Sequence, residues 1–153
     1  MDTIFALATA QGRAGVAVIR ISGPQSWDVG TALAGSLPKP RKAGLRRLTA
    51  SDGTYLDEAL VLTFEDKESF TGEKTVELQT HGSIAVVNSI LKELGRFSDC
   101  RPAEPGEFTR RAMESGRLDL VQVEALSDLI EAETELQRKQ ALRMFDGAFG
   151  ERV

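Results

Sequence analysis

Ser69-Phe70-Thr71-Gly72-Glu73-Lys74-Thr75-Val76-Glu77-Leu78-Gln79-Thr80-His81-Gly82 places a turn, a strand and the chain's only histidine in one short run. Its centre alternates, so on an extended strand Glu77 faces opposite to its apolar neighbours Val76 and Leu78. His81 stands where the strand ends, and Gly82-Ser83 opens an apolar helix. Side chains at a strand end ahead of a helix N-terminus are well placed to meet a small polar or anionic ligand. Glu77 and His81 are both candidates at this point, His81 either as a base or ligand contact or as a residue that braces the turn.

Toward the N-terminus, Ile4-Phe5-Ala6-Leu7-Ala8 and Val16-Ala17-Val18-Ile19-Arg20-Ile21 read as neighbouring strands around the loop Gln11 to Gly15. Arg20 is a charge set among apolar strand residues and needs an anionic partner or an open cleft. Gln25 to Ala34 reads as a short helix with Trp27 (or Val29) and Leu33 inward, and Pro38-Lys39-Pro40 as extended linker. Leu45 to Ala50 and Leu56 to Phe64 flank Ser51-Asp52-Gly53, whose Asp-Gly pair signals a hairpin. Glu65-Asp66-Lys67-Glu68 reads as an exposed connection.

Toward the C-terminus, Ile84, Val87, Ile90, Leu91 and Leu94 recur at helical steps, with Ser83 able to cap that helix. Gly95 to Ala103 reads as irregular. Pro105 fits the first turn of a helix carrying Phe108, Ala112 and Met113 and ended by Ser115-Gly116. Glu107 with Arg110 and Arg111 reads as local helical charge pairing. Arg117 falls at the break before a further helix from Leu118, whose stripe is Leu120, Val123, Leu126 and Ile130. A break of that kind lets a side chain reach a cleft. The polar run beyond Glu131 reads as the first helix of something larger.

The 153 residues fit one ordinary domain with an appendage, and 41% apolar with 27% charged residues is the balance of a soluble globular protein. A net charge of −4 opposes a generic nucleic-acid surface, and the local clusters Arg41, Lys42, Arg46, Arg47 and Arg110, Arg111 read as solvated faces. A single cysteine, Cys100, makes no intramolecular disulfide and points to a reducing, cytoplasmic setting as a structural thiol. One cysteine and one histidine leave no zinc site, and no metal ligand is expected. The chain shows neither a membrane-span run nor a signal-peptide pattern. Gly12-Arg13-Ala14-Gly15 is too short for a dinucleotide fingerprint, and no GxxxxGK[ST] loop occurs. No set of serines and acids is singled out around His81, so no catalytic residue is named.

Three segments, Gln11 to Gly23, Ser69 to Gly82 and Arg101 to Ala112, together with the run Gly116-Arg117-Leu118-Asp119-Leu120-Val121-Gln122-Val123-Glu124-Ala125-Leu126, resemble one family in order along the chain. That family is the MnmE/TrmE group of tRNA uridine-modification GTPases, and the resemblance is to its N-terminal part. It implies an α+β fold, a mostly antiparallel sheet with packed helices similar to folate-dependent aminomethyltransferase domains, followed by a long C-terminal helix. The implied division is 1–117 as a folate-binding and dimerisation domain and 118–153 as the start of a helical domain. The family's GTPase domain, with its GTP, potassium and magnesium, would lie outside this chain.

By the same resemblance Arg20, Glu77 and Arg117 are the folate-contacting positions. The expected cofactor is a tetrahydrofolate derivative, 5-formyl- or 5,10-methylene-tetrahydrofolate, as one-carbon donor to C5 of the tRNA wobble uridine. Arg117 departs from the lysine common at its position in the family, and its wider planar head makes that contact the least direct transfer. The implied partners are a second copy of the chain, the flavoprotein MnmG and tRNA, with no membrane. Two other readings stand beside this one: a dimerisation module with an incomplete folate pocket, and a stand-alone folate-dependent one-carbon transferase.

Overall fold

A computed structural model describes residues 2–9, 15–116, 135–136 and 138–139. The strands are β1 (Thr3–Leu7), β2 (Val16–Ser22), β3 (Gly44–Thr49), β4 (Tyr55–Phe64), β5 (Thr75–His81) and β6 (Cys100–Pro102). The helices are α1 (Ser26–Ala34), α2 (Ile84–Leu94) and α3 (Glu107–Glu114). The architecture is α+β. One six-stranded sheet runs in the order β3-β4-β5-β2-β1-β6, antiparallel throughout except for the parallel pair β1–β6.

The two faces of the sheet have different fates, and the alternation in β2 and β5 decides which is which. Ala17, Ile19 and Ile21 of β2 and Val76 and Leu78 of β5 are buried in the main core. Val29 and Leu33 of α1 and Val87, Ile90, Leu91 and Leu94 of α2 pack onto that same side. Each such fully buried aliphatic side chain contributes about 1.5–3 kcal/mol relative to exposure. Helix α2 begins where Ser83 accepts a hydrogen bond from the Val86 backbone N–H at 3.2 Å, the expected cap. Its stripe holds except at the first turn, where Ile84 is exposed.

The other face is only partly covered. Ile4 and Ala6 of β1 meet Phe108 of α3 in a small second core, and Arg20 and Glu77 lie on this side. Farther along, Val16, Leu45 and Leu60 remain exposed. Two expectations need correction. The segment Gly95 to Ala103 is not wholly irregular, because Cys100–Pro102 adds a short strand beside β1. Pro105 precedes α3 without entering its first turn, since Gly106, with φ 76°, is the cap. The reading of a helix from Leu118 onward falls almost entirely outside the described residues.

Candidate functional site

Strands β2 and β5 pair so that Arg20 stands directly opposite Glu77. The same row continues to Leu62 on β4 and Ala6 on β1. Cross-strand neighbours on one face lie close enough for side chains to meet, and Arg20 Nε donates to Glu77 Oε1 at 3.3 Å. Both side chains are only about one-fifth exposed, 21% and 20%. Glu77 engages Nε alone, which leaves the Nη groups of the arginine and further lone pairs of the carboxylate outside that contact. A pair enclosed to this degree and joined through a single contact among the described residues keeps polar capacity for further partners.

Two rings flank the guanidinium. Its carbon lies 5.3 Å from the Phe70 ring centre and 5.4 Å from that of Phe108, both within cation–π range. Beside them opens a cleft of about 160 Å³, lined by Leu7, Ala8, Arg20, Phe70, Phe108 and Leu136 among others. The arrangement offers a largely apolar slot with the Arg20 cation in its wall and that cation's anionic partner, Glu77, beside it. It can hold a ring bearing adjacent hydrogen-bond donors and acceptors.

The walls are fixed by a polar network behind the slot. Arg111 of α3, with its side chain 8% exposed, donates from Nη1 to both Glu73 carboxylate oxygens at 2.9 and 3.1 Å, and from Nη2 to Asp2 and Glu107. Glu73 also accepts from Ser22 Oγ at 2.9 Å, two residues along β2 from Arg20. Arg101 pairs with Asp2 and, through two nitrogens, with Glu107. Hydrogen bonding to Arg101, with its charge and a hydrogen bond from Arg111, outweighs desolvation and holds the Asp2 carboxyl below its usual range. Burial pushes Glu107 up, but hydrogen bonds from Arg101 and the Glu104 backbone N–H and the charges of Arg101 and Arg111 outweigh it, and its carboxyl sits below the usual value. What spacing suggested as a local Glu107–Arg111 pair is one link of a tie spanning three parts of the chain.

His81 is placed elsewhere. It pairs with Val16, four residue pairs along the β2–β5 ladder from Arg20–Glu77. Its ring Nδ1 is 2.8 Å from Asp57 Oδ1, and its backbone N–H donates to Oδ2 at 2.9 Å. Asp57 is buried and His81 is largely exposed, so the histidine braces the join between β4 and the end of β5. Arg117 lies outside the described residues. Cys100 is buried, and burial pushes its thiol up to about 11, which keeps it an inert packing group. No group of metal-ligating side chains occurs among the described residues.

Phe70, Phe108 and the Glu73–Arg111 tie were not legible as site residues from spacing. The one signal available was that Phe70 interrupts a run of hydroxyl and acidic residues, Ser69, Thr71 and Glu73, that turn inward.

The motifs and this geometry can now be set beside known proteins. The family model described as GTP-binding protein TrmE N-terminus matches residues 3–117. The chain belongs to that family. Relatives carry the TrmE N-terminus in longer proteins. The chain is 60% identical over 153 residues to the tRNA modification GTPase MnmE of Roseobacter denitrificans, covering 100% of this chain and 36% of that protein. It is 59% identical over 153 residues to the protein of the same name from Dinoroseobacter shibae, with the same coverage. With the Caulobacter vibrioides protein of that name it is 55% identical over 151 residues, covering 99% of this chain and 33% of the relative. The chain thus spans about a third of the length of these relatives.

Proposed function

We propose that this chain is the reduced-folate-binding part of a tRNA-modifying GTPase. The observation that carries this reading is the enclosed Arg20–Glu77 pair, whose arginine lines a cleft walled by Phe70 and Phe108. A pterin ring presents an N–H and an amino group side by side, and a carboxylate accepts such a pair as two parallel hydrogen bonds. Glu77 supplies that acceptor. Arg20 pairs with it at 3.3 Å and serves the carbonyl or anionic parts of the ligand once it is bound. The cleft is smaller than the roughly 300–1,000 Å³ of a pocket that encloses a whole small molecule. It therefore suits the ring system, with the rest of the folate running out of the cleft.

In this reading a 5-formyl- or 5,10-methylene-tetrahydrofolate is the one-carbon source for C5 of the tRNA wobble uridine. The GTP, potassium and magnesium chemistry belongs to another part of the protein, and the flavoprotein MnmG is its partner in the cytoplasm. Calorimetry with 5-formyltetrahydrofolate is expected to give a single site. Glu77→Ala is expected to weaken it by roughly tenfold or more, since a hydrogen bond to a charged group is worth about 1.5–3 kcal/mol. Gln79→Ala, on the same face one position removed, leaves it unchanged. No heat with the unmodified chain, or equal affinity in Glu77→Ala, sinks the proposal.

A second reading adds to the first. Leu45 and Leu60 face each other across β3–β4 and are 58% and 41% exposed, with Val16 at 54% on the same side of the sheet. This apolar stretch continues the surface that borders the cleft. We infer that its occupant is a second copy of the chain, because a two-fold interface uses one patch twice and this patch, Leu45 and Leu60 flanked by the opposite charges of Arg47 and Glu58, is self-complementary. A module that dimerises without binding folate remains the alternative, and the calorimetric test separates the two.

A further inference from the structure

Phe70 is held out toward solvent by neighbours that are held in. Ser69 and Thr71 are 2% and 0% exposed, whereas Phe70 between them is 42% exposed. Thr71 Oγ1 lies 2.6 Å from Ser22 Oγ, Ser69 Oγ donates to the Glu73 backbone carbonyl, and Glu73 is tied to Arg111. The turn is therefore anchored on both sides of the ring to β2 and α3. A large apolar side chain fixed in this way forgoes the burial that normally stabilises it. Its ring instead lies over Arg20, whose guanidinium also lies against the ring of Phe108, 2% exposed. One wall of the clamp is core, and the other is open to whatever enters the cleft.

We propose that Phe70 is a binding residue of this site: it positions the Arg20 guanidinium from one side and offers its ring as the stacking wall for a flat heteroaromatic ligand. The inference rests on the folate reading only for the identity of that ligand. Aromatic rings favour offset stacking or edge contacts at centroid separations of 4.5–7 Å, and they attract a guanidinium over the same range. A ring sliding into the cleft beside Arg20 meets the Phe70 face or edge at such a distance. In a reduced pterin the planar ring available for this contact is the pyrimidinone.

The test uses Phe70→Leu, which keeps apolar bulk and removes the ring, and Phe70→Tyr, which keeps the ring. Two measurements are made on each, the affinity for 5-formyltetrahydrofolate and the chemical shift of the Arg20 Nε–H in nitrogen-15 spectra. In the unmodified chain this proton is expected to be shifted upfield by the flanking rings. Phe70→Leu is expected to lose a large part of that shift and to bind about tenfold more weakly, the scale of one aromatic contact. Phe70→Tyr is expected to keep both.

If the unmodified chain binds the folate and Phe70→Leu binds it equally well, the proposal is overturned and the folate reading survives. If the unmodified chain binds no folate, that reading falls, and the Arg20 signal decides alone: a shift unaltered by Phe70→Leu overturns the role of Phe70. Thermal melts accompany both variants. Should Phe70→Leu melt well below the unmodified chain, Phe70→Met replaces it in both measurements.

Discussion

Gly23 turns the chain out of β2 toward α1 with φ at 137°, a conformation that L side chains rarely adopt. A Cβ there would lie 2.7 Å from Thr3 Cα and 2.9 Å from the Asp2 carbonyl oxygen, both backbone atoms that cannot swing away. Gly23→Ala is expected to lower stability by about 1–3 kcal/mol, the usual cost of a strained residue, with more if β1 is displaced. Urea denaturation measures it, and an unchanged midpoint would mean that the turn re-forms at no cost. At this scale the sequence is a good guide wherever a residue's role is set by its own strand. Glu77 and Arg20 stand out because a charge in an apolar alternation is visible without any partner. Phe70 does not, because its exposure is decided by what Ser69, Thr71 and Glu73 bind far away in the chain. His81 is an intermediate case: its place at the strand end was readable, its attachment to Asp57 was not.

Helix α3 is docked mainly by charge. It reaches the sheet through Phe108, while Arg111 and Glu107 tie it to Glu73, Asp2 and Arg101. The Glu107 carboxyl has its folded-state value depressed below 4.5, and Asp2 is depressed as well. A depressed carboxyl stabilises the fold fully above its unfolded-state value, and that contribution is lost as pH falls through the folded-state value. Docking of α3 is therefore expected to hold down to about pH 4.5 and to weaken progressively below it. Amide hydrogen exchange in residues 107–114 against pH checks this. Equal protection at pH 3 and pH 7, relative to α2, would show the ties to be dispensable. The cap and apolar spacing of α2 made that helix readable from local signals alone. The ties of α3 and the strand Cys100–Pro102 were not, since each depends on a partner near the N-terminus that no spacing rule connects to it.

Across the whole molecule, the uncovered strip Leu45–Leu60 predicts association. Sedimentation of the chain at micromolar concentration is expected to show a dimer. Leu60→Asp is expected to give monomer while leaving the melting temperature within a few degrees, because the side chain is already partly exposed in one copy. A monomeric unmodified chain would count against the association. Whereas the α+β class came from the family resemblance, the β3–β4 hairpin followed from the turn at Asp52-Gly53 and from two-residue alternation. The strand order β3-β4-β5-β2-β1-β6 did not, because β2–β5 and β1–β6 are joined by long connections whose lengths allow other arrangements. That order also sets a schedule. Residue 3 pairs with residue 100, so β1 has a free hydrogen-bonding edge until nearly all of the described domain has been synthesised. Closing so wide a loop is entropically costly before any contact rewards it. The arrival of β6 and α3 is then expected to come late in folding, and this same event assembles the Phe108 side of the clamp around Arg20. A chain stalled before that point would hold the Arg20–Glu77 pair but only one of its aromatic walls, and would be sticky along β1.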